Sequence, residues 1–158
     1  MNKKIIFVVC LFTPLIIGAL SGVLSGDGIN DWYPTLIKPS FNPPSWVFGP
    51  VWTILYILMG YSFYRIWMQH VSIHRIYATR LFIVQLILNF FWSLIFFRWH
   101  LTGLATIEII ILWISILLMI RSFLKLDRIA GYLQIPYLLW VSFATMLSAS
   151  LWYLNQGH

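Results

Sequence analysis

Five long runs in which apolar residues follow one another almost without interruption divide the chain, at 5–25, 46–67, 81–97, 102–120 and 131–154. Each is about 20 residues, the length an α-helix rising 1.5 Å per residue needs to cross a hydrocarbon core of about 30 Å. Only Arg65 and Glu108 put a formal charge inside these runs, and Arg65 lies near an end, from which its side chain can reach the headgroups. There is no series of alternating segments of the kind a transmembrane β-barrel requires. Composition agrees: 9% of the 158 residues are charged and 61% are apolar, whereas soluble domains carry roughly 25% charge. So short a chain cannot hide that excess in a soluble core. The expectation is an all-α integral membrane protein, a single domain over residues 1–158 built as a five-transmembrane-helix bundle. The first run, behind Lys3 and Lys4, also resembles a secretory signal, with small residues at Gly18, Ala19, Ser21 and Gly22. Its apolar stretch exceeds the usual h-region of about 7–15 residues, which favours the helix.

The net charge of +6 finds its explanation in topology. Placed on alternate sides of five spans, Lys3, Lys4, Arg65, Arg75, Arg80, Arg121, Lys125 and Arg128 share one side, leaving Lys38 and Arg98 on the other. By the positive-inside rule the N-terminus is expected in the cytoplasm and the C-terminus outside. Short tails and this clean bias point to a bacterial inner membrane, and no nucleic-acid partner is needed to account for the charge. Cys10 stands alone, so neither a disulfide framework nor a Cys-based metal site is expected. No Ser/His/Asp or Cys/His set and no phosphate-binding loop is present, which argues against hydrolytic or nucleotide-driven activity.

The longest connection, the loop 26–45, has an unusual composition. Pro34, Pro39, Pro43 and Pro44 alternate with Trp32, Tyr33 and Phe41, and prolines fix their own φ and restrict the residue before them. Such a segment loses little entropy on ordering and should form a semi-rigid flap. A loop of this length is commonly functional; its aromatics could equally form an interfacial belt that anchors helix ends.

Helical spacing puts Gln85, Asn89, Trp92 and Phe96 on one face of the third run, which should turn into the bundle because amides in lipid must find partners. Trp52 and Tyr56 lie one turn apart in the second run, and Tyr137, Trp140, Ala144 and Leu147 share a face of the fifth. Pro14 and Pro136 fall inside runs and should kink them, freeing the carbonyls of Cys10 and Tyr132. Gly18, Gly22 and Gly26 form a track of small residues suited to close helix packing, within the bundle or between protomers. Glu108 should face protein rather than lipid, as a structural hydrogen-bonding group or in transport or ligand response.

The run Trp32-Tyr33, Lys38-Pro39-Ser40-Phe41, Pro43-Pro44 and Phe48-Gly49-Pro50-Val51-Trp52, with Tyr56, Gly60 and Tyr61, resembles the TspO/MBR family. These are tryptophan-rich sensory proteins of bacteria related to the mitochondrial translocator protein. The resemblance continues through Gln85, Leu88-Asn89, Trp92 and Ile95-Phe96-Phe97, and then Pro136-Tyr137-Leu138, Trp140 and Phe143-Ala144-Thr145. It implies a five-helix bundle, commonly a homodimer, acting as a membrane receptor, sensor or carrier with a pocket beneath the first loop for porphyrins such as protoporphyrin IX and haem or related hydrophobic molecules. The implied ligand-binding residues are Tyr33, Pro43, Pro44, Trp46, Trp52, Tyr56, Asn89, Trp92, Trp140, Phe143, Ala144 and Leu147, with Gln85, His100 and Glu108 as further candidates. No obligatory cofactor and no metal are expected, the porphyrin being a ligand. An alternative that the resemblance also implies is light-dependent porphyrin degradation, with Trp52 and Trp140 as the photochemical residues; a third reading is a structural role without a specific ligand. Because His70, His74, His100 and His158 all lie outside the runs, a porphyrin is expected to be held by stacking and apolar contact, with His100 the one candidate axial ligand. The sequence departs from the mitochondrial branch in having no Lys or Arg after Tyr153, where that branch carries a proposed cholesterol motif.

Overall fold

A computed structural model describes residues 2–156; His158 lies outside them. The described helices are α1 (Lys3–Leu24), α2 (Phe48–Trp67), α3 (Ile73–Ser93), α4 (Thr102–Leu126), the short α5 (Arg128–Tyr132) and α6 (Ile135–Leu154). One π-turn, Leu94–Arg98, prolongs α3, and another, Gly28–Trp32, follows α1. Five helical segments are long and apolar enough to cross a membrane, and no strand occurs among the described residues.

Local chemistry sets the boundaries. Asn2 caps α1 by accepting from the Lys4 amide, Ser72 caps α3 through the Arg75 amide, and Asp127 caps α5 through the Ala130 amide. The Ser72 cap lets α3 begin at Ile73, ahead of the apolar run at 81. Arg75 then donates to the Trp67 and Gln69 carbonyls at 3.1 and 2.8 Å, closing the turn after α2. Likewise α4 runs past residue 120 to Leu126, because Ser122 and Phe123 are still buried.

The fifth span is not one kinked helix. The chain turns at Leu133 and Gln134, and Pro136 falls in the first turn of a new helix, where its missing N–H costs no hydrogen bond. Pro14, by contrast, sits buried within a continuous α1. The carbonyl it releases, that of Cys10, lies against Gly60 of α2, where a Cβ would stand 2.8 Å from the oxygen and 2.7 Å from Leu11 Cα.

The core centres on Met59, Phe82, Leu112, Ile116, Met119, Phe123, Tyr137 and Val141. Phe63 stacks on Phe82 with ring centroids 3.9 Å apart. Large apolar residues such as Val8, Phe12, Ile16, Ile87, Ile107, Ile111 and Leu139 are exposed on the outward faces, where hydrocarbon is their natural solvent. At the basic end of the bundle Arg65 pairs with Asp127 at 2.8 Å. Burial works against ionisation of Asp127, but the Ala130 amide and the Arg65 guanidinium together hold its carboxyl below the ordinary carboxylate range.

At the other end the proline-rich segment is ordered by specific contacts. The buried Tyr33 donates to Asn42 Oδ1 at 2.7 Å, and Lys38 donates to the Pro34 carbonyl with its ammonium 5.0 Å from the Tyr33 ring centroid. Burial pushes the Tyr33 phenol pKa up, with the Asn42 bond opposing. Asn155, at the end of α6, clips the loop twice: the Ile37 amide donates to its Oδ1, and its Nδ2 donates to the Ile37 carbonyl, both at 3.0 Å. Trp32 stacks on His100 at 4.2 Å. His100 has φ 58°, a left-handed conformation uncommon outside glycine, and the stacked indole helps to hold it there.

Candidate ligand-binding cavity

A cavity of about 670 Å³ opens at the loop end, bounded by α1, α2, α3 and α6 beneath Tyr33. Its walls are aromatic because α2, α3 and α6 each turn a Trp-bearing face inward. On α2, Trp52 stacks on Tyr56 one turn further on at 5.5 Å; on α3, Trp92 stacks on Phe96 at 5.4 Å; on α6, Trp140 packs edge-on to Phe48 at 5.9 Å. These rings have planar apolar faces, so they suit a flat, largely apolar guest.

The floor is polar and internally committed. Tyr56 donates to Asn89 Oδ1 at 2.7 Å, and Asn89 Nδ2 donates to the Tyr137 hydroxyl at 3.1 Å. That hydroxyl donates in turn to Gln85 Oε1 at 2.9 Å, and Gln85 Nε2 contacts Met59 Sδ at 3.6 Å. This chain ties α2, α3 and α6 together directly below the cavity. The indole N–H groups of Trp92 and Trp140 are buried without an acceptor among the described residues, and buried donors normally find one.

Of the residues singled out from the sequence, Tyr33, Trp52, Tyr56, Asn89, Trp92, Trp140, Ala144 and Leu147 line the cavity. Pro43 and Pro44 stay in the loop without lining it, and Trp46 points away with 74% of its surface exposed. Phe143 supports the wall from behind, 5.5 Å from Trp140 and 6.2 Å from Phe41. Gln85 lies under the floor, fully buried. His100 is at the roof against Trp32 and does not line the space. Glu108 is buried on α4, away from the lining, with neither carboxyl oxygen paired among the described residues. No group of three or more His, Cys, Asp or Glu placed to hold a metal occurs among them either.

Sequence reasoning missed one whole wall. Gly18, Ala19 and Gly22 of α1 line the cavity beside Thr53 of α2 and Ser93 of α3. The glycine track was the available signal, but its spacing suggested only packing. Of its members Gly18 does pack, against the Tyr56 ring, whereas a Cβ on Gly22 would meet open space.

Compared with known proteins, residues 10–154 match the family described as TspO/MBR. The chain belongs to the TspO/MBR family. It is similar to the tryptophan-rich protein TspO of Chlorobaculum tepidum, 37% identical over 98% of this chain and 99% of that one. The TspO of Archaeoglobus fulgidus is 36% identical over 94% of this chain and 95% of its own. The human translocator protein is 34% identical over 87% and 82% respectively. Family membership and the five apolar helices make the TspO/MBR chain an integral membrane protein, and a family whose members are named for sensing and translocation supports a membrane sensor or receptor role.

Proposed function

We propose that the protein is a membrane receptor or sensor for tetrapyrroles such as protoporphyrin IX and haem, bound in the cavity beneath the loop. The observation that carries this reading is the set of planar walls, Trp52 and Tyr56 on one side, Trp92 and Phe96 on another, and Trp140 on a third, around about 670 Å³. That volume lies within the roughly 300–1,000 Å³ of small-molecule sites. Each offset aromatic contact adds about 0.5–1.5 kcal/mol beyond burial, so stacking alone discriminates a flat macrocycle from a lipid tail. Among the described residues no His, Cys or Met lines the cavity, and the Tyr33 and Tyr56 hydroxyls are engaged with Asn42 and Asn89, so in this reading the macrocycle is held by its faces and edge. Asn89 contributes mainly through the floor it stabilises, and its remaining N–H is available to an acceptor on the ligand.

The test is a titration of purified protein with protoporphyrin IX, followed by tryptophan quenching in wild type and Trp140→Ala. Saturable quenching in the micromolar range, weakened at least fivefold by the substitution, is expected. Non-saturating quenching that is identical in the two proteins would mean that the porphyrin only partitions into the detergent, and would remove tetrapyrrole binding from the account.

A further inference from the structure

The seam between α1 and α2 changes character halfway along its length. Towards the basic end the two helices are closely joined: Phe7 packs edge-on to Tyr64 at 5.2 Å, the Gly60 backbone lies against Leu11, and Gly18 sits directly on the Tyr56 ring. Beyond Gly18 the contact stops. A Cβ on Gly22 of α1, or on Gly49 at the start of α2, would meet no atom within 4 Å.

The cause lies on the other side of α1. Ser21 donates to the Phe90 carbonyl at 3.2 Å, Ser25 shares a hydrogen bond with Ser93 at 3.1 Å, and Gly28 packs so tightly on the Phe97 carbonyl that no side chain fits. The loop end of α1 is thereby drawn onto α3 and away from α2. Pro14, one turn before Gly18, removes the intrahelical hydrogen bond that would resist such a divergence.

The resulting gap leads into the cavity. Ala19 and Gly22 on one side and Gly49 and Thr53 on the other all line the cavity, and Ala19, Gly49 and Thr53 are exposed. Ala19 lies about 8 Å along the axis from the end of α1, at hydrocarbon depth. The rim is apolar in effect, since the Thr53 hydroxyl is spent on the Gly49 carbonyl at 2.9 Å. The aqueous face is built the opposite way: Tyr33 bonded to Asn42, Ile37 clipped by Asn155 and Trp32 stacked on His100 tie down the roof.

We propose that ligands enter and leave the cavity sideways, from the bilayer leaflet beside the long loop, through the gap between α1 and α2. This deepens the receptor reading and rests on the cavity being a ligand site. It also defines the ligand class by chemistry: a molecule dissolved in the leaflet, flat enough to pass edge-on between two helices, with its polar groups at one edge so that they remain near the headgroups while the apolar body moves inward.

The test uses a reporter thiol so that it does not depend on the identity of the ligand. Ala144→Cys on the cavity wall, in a Cys10→Ser background, is reacted in phosphatidylcholine vesicles with an apolar maleimide dissolved in the lipid. Gly22→Phe and Gly49→Phe, made separately, place a ring in the gap where a Cβ has room, and circular dichroism confirms that each folds. Both are expected to slow labelling at least tenfold, while Asn155→Ala, which releases the loop from α6, leaves the rate within twofold. Labelling unaffected by either phenylalanine, labelling accelerated by Asn155→Ala, or no reaction with the lipid-borne reagent would each overturn the proposal. A parallel titration separates the two claims: if wild type fails to bind protoporphyrin IX saturably while the gap substitutions still slow labelling, the tetrapyrrole reading falls and the lateral route stands.

Discussion

Replacing Gly60 with Ala perturbs the closed half of the α1–α2 seam, and replacing Gly22 with Ala makes the same chemical change in the open half. At Gly60 the new methyl would stand 2.7 Å from Leu11 Cα, 2.8 Å from the Cys10 oxygen and 2.9 Å from the Leu11 oxygen. All three are backbone atoms and cannot rotate aside, so the helices must move apart or the chain must bend. Overpacking of this kind costs about 1–3 kcal/mol. Both substitutions also gain helix propensity, up to about 1 kcal/mol each, and that gain cancels when the variants are compared with one another. At Gly22 the methyl meets nothing within 4 Å, so no overpacking opposes the gain. Unfolding both variants in the same detergent, followed by circular dichroism, should therefore place Gly60→Ala about 1–3 kcal/mol below Gly22→Ala. Equal stability of the two would refute the description of a seam closed at one end and open at the other.

Other outcomes follow from the same geometry. Tyr137→Phe removes two interhelical hydrogen bonds, to Asn89 and Gln85, and at about 0.6–2 kcal/mol each in a membrane protein the loss should be roughly 1–4 kcal/mol; thermal unfolding measures it. The folded-state pKa of Asp127 lies below the ordinary value near 3.9, so its contribution to stability is present above that value and is lost as the pH falls through the folded pKa; stability measured from pH 6 to pH 2 should fall less steeply in Asp127→Asn, which keeps a capping side chain but no charge. Haem bound in the cavity should lack the absorption and magnetic signature of histidine ligation, and His100→Ala should leave its spectrum unchanged, because His100 does not line the space. Under illumination, a protein that only binds protoporphyrin IX should lose the Soret band at the same rate in wild type, Trp52→Phe and Trp140→Phe, whereas slower loss in the variants would indicate photochemical turnover.

Hydropathy made the spans legible because a helix in lipid has to be apolar along its whole length. Their limits were less so. The charges at Arg75 and Arg80 cut the third run short, yet Ser72 starts α3 before them and Arg75 spends its guanidinium on backbone carbonyls. Pro136 was recognisable as a disruption, but whether it kinks one helix or begins another depends on the turn at Leu133 and Gln134. The burial of Gln85 and Asn89 could be read from their shared face, since amides in hydrocarbon must turn inward. Their partner Tyr137 could not, because the three residues meet only when α3 and α6 pack together. The Asn155 clip on Ile37 joins residues 118 apart in sequence and leaves no local pattern. The α1 wall was missed for a related reason: the same spacing of small residues serves contact at Gly18 and a gap at Gly22, and only the position of α3 decides which.

The most direct test of the receptor account is an experimental structure of the protein in lipid with protoporphyrin IX bound, at a resolution that places the macrocycle. The account predicts the ring inside the cavity, its faces against Trp52 and Trp140 and its edge near Asn89, with Tyr33 above it. A porphyrin lying on the lipid-facing surface or between two protomers, with the cavity left empty, would contradict it.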